Sequence, residues 1–298
     1  MKVIRPLKTL CDNIVSYNVP KDHEMWLATT TYNKGDEVAR EDCGATIYRS
    51  AINNNIGIDP ITDTDGNWVA VGTSNYFAMF DNKNTSQTVN PDEIVIEITF
   101  NGLVNAVALI NVDADQAHFE AWEDDPNELL FEETIDLKDF GVTNLYDFYF
   151  SPVRYRSQVV KLGLPTMING TGRLTLTKTN GDVKLGSLVY GDEFRIGQST
   201  IDLDLDFKDY SEKTTNVFGD TEVIIRSYSN LNDYNVIVSN VDIDSVIRFR
   251  NTYRGIPLVW IADENKPYSI NYGYFEKFRQ TLSHIAYAEC TISVQSLN

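Results

Sequence analysis

The residues best suited to chemistry in this chain are rings. Between Trp26 and Trp68 it reads W-x5-Y-x-x-G-D-x-V, then Ile47-Tyr48, then N-x-G-x-x-P at Asn55, Gly57 and Pro60, then Trp68-Val69. A sugar lies on an aromatic face because its axial C–H groups meet the negative π cloud, while nearby polar groups fix its orientation. Trp26, Tyr32, Tyr48 and Trp68 are therefore the candidate glycan-binding residues. A second reading stands beside this one. In a module of about 45 residues with few aliphatic side chains, the same rings are the only material for a core.

Other reactive residue types are present without a chemical context. The turn Asp63-Thr64-Asp65-Gly66-Asn67, and Asp113 with Asp115, place oxygen ligands at alternate positions as Ca²⁺ requires. The turn lacks the distal bidentate Glu, and Asp-x-Asp-Gly is also a common turn composition, so a solvated turn is expected. Glu120, Glu123, Asp124 and Asp125 crowd carboxylates beside Pro126, but neighbours in one loop do not make a separated acid–base pair. Ser151, Ser157 and Ser187 lack the G-x-S-x-G setting of a nucleophile elbow. Cys11, Cys43 and Cys290 show no CxxC spacing, and His23, His118 and His284 are scattered, so neither a disulfide framework nor a metal site is expected. We expect no catalytic residues and no cofactor. Arg154 and Arg156 form the one tight basic patch and are candidates for contact with an acidic neighbouring subunit.

Composition restricts the partners. The 298 residues include 25 Lys+Arg against 43 Asp+Glu, a net charge of −18. Nucleic-acid phosphates and anionic headgroups repel such a surface. No apolar run reaches the ~18 residues of a membrane span, nor does one of signal-peptide length follow the N-terminus. Synthesis in the cytoplasm is expected, with export, if any, by a route such as delivery in a virus particle. With 42% hydrophobic residues the chain has enough apolar material for genuine cores.

The elements that must position these residues read as mainly β. Residues 1–25 read as an extended arm broken by Pro6 and Pro20, with a short strand at Ile14, Val15 and Tyr17. Residues 26–75 form the small aromatic β module, punctuated by Asn/Gly/Asp turns. Residues 76–197 read as a β-sandwich or jelly roll. In Ile94–Phe100, Ile94, Ile96, Ile98 and Phe100 alternate with Val95, Glu97 and Thr99, and Val104–Val112 is apolar enough for burial on both faces. Further strands are expected at Ala117–Trp122, Leu129–Asp136, Tyr146–Phe150, Gln158–Leu162, Arg173–Thr179 and Gly186–Tyr190. Residues 198–298 read as an α+β region. It has strands at Thr221–Tyr228, Asn235–Val238, Leu258–Ile261 and Glu289–Leu297. Its one helix, over Asp242–Tyr253, is closed by Gly255-Ile256-Pro257.

Three resemblances attach to these segments. The Trp26–Trp68 stretch resembles small chitin-binding-type carbohydrate modules, apart from an insert around Glu41-Asp42-Cys43-Gly44. Residues 76–197, opening on Asn75–Asp81 and closing on Gly186–Gly191, are similar to a galactose-binding-like jelly roll. The whole order is similar to structural proteins of tailed bacteriophages, on Asn75–Asp81, Asp209–Lys213 with Phe218-Gly219, Pro257–Ile261 and Tyr272–Phe275. That resemblance implies a virion tail component that associates with itself and with other tail proteins. A closed six-fold or three-fold ring is expected, its contacts made by the arm and by the terminal strand Thr291–Leu297. The alternative is a carbohydrate-binding adhesin for a host-surface glycan. An enzyme is not expected.

Overall fold

The computed structural model describes residues 1–298 except 41–44, 84, 124–127, 140–144, 151–153, 216–218, 283 and 298. Strands β1 (Lys2–Pro6) and β2 (Ile14–Tyr17) open the chain. The aromatic module contributes β3 (Glu37–Arg40), β4 (Thr46–Ser50) and β5 (Trp68–Thr73), which form their own antiparallel sheet. The central region holds β6 (Thr88–Thr99), β7 (Leu103–Val104), β8 (Ala106–Asp113), β9 (Gln116–Trp122), β10 (Phe131–Asp136) and β11 (Lys138–Asp139). After helix α1 (Leu145–Phe150) come β12 (Arg154–Tyr155), β13 (Gln158–Lys161), β14 (Met167–Ile168) and β15 (Thr171–Arg195). The C-terminal region has β16 (Gln198–Asp209), β17 (Glu212–Thr215), β18 (Thr221–Ile224) and β19 (Tyr228–Ser239). Helix α2 (Ile243–Thr252) leads to β20 (Leu258–Ile261), β21 (Ile270–Thr281) and β22 (Tyr287–Ser296). The chain is mainly β, a sandwich-like body with a C-terminal α+β region, as its patterning predicts.

Strand alternation builds the central core. Ile94, Ile96 and Ile98 of β6 are buried against Leu174, Leu176, Phe119 and Leu109. β8 is buried on both faces: Leu109 joins that core, while Ala108 and Ile110 join a second layer with Ile4, Val189, Val259 and Tyr272. The C-terminal core lies under α2, where Val246 and Phe249 meet Tyr234, Trp260 and Val294. The Phe249 ring stacks on Phe194 at 4.7 Å and meets Trp260 edge-on at 6.3 Å. Gly255 adopts the left-handed conformation (φ 76°) just after the helix, as a C-terminal stop requires.

One strand organises the whole. The first part of β15 pairs with β6 on one side and β9 on the other. Past an irregularity between Thr177 and Asp182 it pairs with β8, and its last residues pair with β1. β1 in turn pairs with β20, and the sheet continues through β21, β22 and β19 to β16.

This topology corrects three expectations. The start of the chain is no free arm: Val3 and Ile4 are fully buried, because β1 sits between β15 and β20. The closing strand offers no edge either. β22 is paired on both sides, and Ala288, Cys290, Ile292 and Val294 point into the structure and are buried. Tyr146–Phe150 belongs to a helix instead of a strand; its Tyr146 and Phe150 rings meet at 4.9 Å, the i,i+4 relation of one helix face. Cys11 is disulfide-bonded, a pairing that sequence spacing did not reveal, whereas Cys290 is a buried free thiol.

Candidate functional site

The four predicted rings come together, but chiefly as core. Tyr32 is held by paired backbone hydrogen bonds with Asn55, and its hydroxyl accepts from the Leu27 amide at 2.9 Å. Trp68 donates its indole N–H to the Ile58 carbonyl at 2.9 Å. The two rings meet edge-on at 5.3 Å and are 8% and 6% exposed. Their faces are therefore closed to a sugar. Trp26 and Tyr48 are half-buried and pack against the same cluster. The Arg40 guanidinium lies 5.1 Å from the Trp26 ring centre and is itself held by Asp59 at 2.7 Å. Arg40 also holds the Asp59 carboxyl below its ordinary range. The rings thus do not share one open plane.

The acidic candidates are engaged in structural bonds. Asp63 accepts from the amides of Asp65 and Trp68 and from the Asn67 side chain, an arrangement that closes a turn and leads into β5. Asp113 pairs with Lys178 at 2.8 Å. Asp115 is 5% exposed and takes the Lys138 ammonium at 2.8 Å together with the Thr179 hydroxyl and amide. Burial alone would raise its carboxyl; the Lys138 charge and the two Thr179 bonds prevail and bring it down to about 2. Glu120 shares the Arg173 guanidinium with Glu97 on the outer face of β9, β15 and β6. Asp124, Asp125 and Ser151 lie outside the described residues. Ser187 is buried in β15 and Ser157 is exposed. His118 bonds Thr134 on β10, His23 bonds Glu37, and His284 stacks on Tyr287.

Arg154 and Arg156 are exposed on and beside β12, and neither forms an ion pair among the described residues.

A feature the residue patterns did not single out lies at the far end of the sheet. β16 pairs with β19 along one side and is the last strand in the sheet order. Leu203 packs against the C-terminal core. Leu205 and Phe207 continue the same strand face but are 53% and 63% exposed. Beyond them β17 and β18 form a hairpin, and Val223, Ile225 and Tyr228 join Phe207 around a shallow depression. Ile225 is 85% exposed. The signal was present in sequence as Ile201-Asp202-Leu203-Asp204-Leu205-Asp206-Phe207: the apolar residues alternate with acids along a strand whose apolar face outruns its core. Among the described residues no helix is long and apolar enough to cross a membrane.

No family of known proteins, no curated protein and no solved structure matches this chain.

Proposed function

We propose that this protein is a structural subunit of a phage virion tail that associates with copies of itself into a ring and contacts other tail proteins. One observation carries the reading. An apolar strand face leaves the C-terminal core at Leu203 and runs uncovered through Leu205 and Phe207 to Val223, Ile225 and Tyr228. It does so on the last strand of the sheet, where backbone donors and acceptors are open to another chain. A continuous exposed apolar patch at a sheet edge is what an interaction surface requires. The acids Asp202, Asp204 and Asp206 on the other face keep the free subunit in solution. The phage setting rests on the resemblance of the short segments described above; the self-association rests on the ribbon.

The test is the mass of the purified protein by light scattering, with Phe207→Lys beside the wild type. Wild type is expected as a closed oligomer and Phe207→Lys as a folded monomer with an unchanged thermal midpoint. A wild-type monomer at all concentrations would remove the basis for the proposal.

A further inference from the structure

We infer that the cleft between the central and C-terminal regions binds a neutral oligosaccharide. Its volume is about 540 Å³, within the range of small-molecule sites. Asn111 and Gln158 line it from the central side; Asn230, Asn232 and Asn271 line it from β19 and β21. A carboxamide offers donors and an acceptor in one plane, which matches hydroxyl groups that each donate and accept. Among the described residues the single ionisable carboxylate in the lining is Asp206, and no Lys, Arg or His joins it. Such a lining fits neither a phosphate nor a carboxylated ligand.

Two of these amides have unmet acceptors. Asn271 is 3% exposed, and its Nδ2 donates to the Val294 carbonyl at 3.4 Å, yet its Oδ1 has no partner. The Gln158 Oε1 is likewise buried without a donor. Buried acceptors of this kind are rare in folded proteins; both are closed to water in the structure, so a ligand hydroxyl meets them only once the two side chains turn toward the cleft.

The same cleft supplies what the aromatic module lacks. Tyr228 and Tyr268 line it and are 62% and 57% exposed, so their faces are open to sugar C–H groups. Tyr272 is committed elsewhere, donating its hydroxyl to Asn82 at 2.8 Å. This inference does not depend on self-association, although Leu205 and Tyr228 belong to both the cleft and the ribbon, so that in an assembled ring the open sugar platform is Tyr268.

The experiment presents the full chain to an array of neutral, sialylated and phosphorylated glycans, then titrates the strongest binder by calorimetry. A neutral oligosaccharide is expected to be retained. Tyr268→Ala and Gln158→Ala, both off the ribbon, are expected to weaken it by about tenfold or more with an unchanged thermal midpoint. Phe207→Lys, which tests assembly, is expected to keep binding. Three results would each overturn the inference: no retained glycan, a preference for acidic glycans, or a loss caused by Trp26→Ala and not by the cleft variants.

Discussion

Asp115 is held almost out of water at the turn between β8 and β9, where it ties Lys138 of β11 to Thr179 of β15. Its carboxyl is brought from an ordinary 3.8 to about 2 in the folded protein. A depressed folded value means the stabilisation is complete above the unfolded value and disappears as pH falls through the folded one. Asp115→Asn is therefore expected to cost on the order of 2 kcal/mol at neutral pH, with the difference shrinking as pH falls from about 4 to about 2. Urea unfolding of both proteins across that range reads the effect, and a gap independent of pH would show that the charge is not its source. At this scale the sequence discloses residue types better than their tasks. Two Trp and two Tyr within one short module are visible as a cluster. That Tyr32 and Trp68 face inward and that Arg40 covers Trp26 depends on where Ile58, Asn55 and Asp59 fall after folding. The carboxamides of the cleft are further from legible: Asn111, Gln158 and Asn271 are separated by long stretches of chain and belong to no motif.

Elements with a strong local period were readable. β6 alternates, β8 is apolar from Ala106 to Ile110, and Val246 and Phe249 of α2 with its C-cap Tyr253 recur at helical spacing. Elements defined by their partners were not. β1 is five residues long and ends on Pro6, and nothing local says that β15 and β20 will close on both its sides. Leu145–Phe150 is a short aromatic-rich run interrupted by Asp147, for which period alone does not separate strand from helix. The join between β1 and β15 has a specific steric requirement. At Gly191, opposite Pro6, an added Cβ would lie 2.0 Å from the Arg5 carbonyl oxygen, a backbone atom with no freedom to withdraw. Gly191→Ala is thus expected to destabilise by about 1–3 kcal/mol through displacement of β1, where most glycine-to-alanine changes in a strand are neutral or favourable. Chemical denaturation checks the magnitude; Gly72→Ala in β5, with open space around its Cβ position and no left-handed backbone, is the control.

For the molecule as a whole, the consequence of the shared sheet is mechanical unity. Val3 of β1 is buried in the C-terminal core, and Ile4, one residue on, is buried in the layer that joins β8 and β15 to β20 and β21. A single short strand therefore borders both cores, and the arm expected to bind a neighbour is occupied within its own subunit. On the proposal of self-association, contacts between copies would come from elsewhere, and the β16 edge with its β17–β18 hairpin is an exposed apolar surface suited to them. If the proposed ring forms, a subunit that passes load from β16 to its central sandwich needs the two regions to unfold together. Ile4→Ala tests this, since it removes a fully buried side chain and is expected to cost about 2–5 kcal/mol. Amide hydrogen exchange then reports where the loss is felt. If the regions are one cooperative unit, protection falls by the same amount in β6 and β8 of the sandwich and in β20 and β22 of the C-terminal region. A loss confined to one side would mean that β1 is only a local strand and that the two regions open independently. In that case a pull on the ribbon would be absorbed by the C-terminal region alone, and the sandwich would act as a passenger on the assembly.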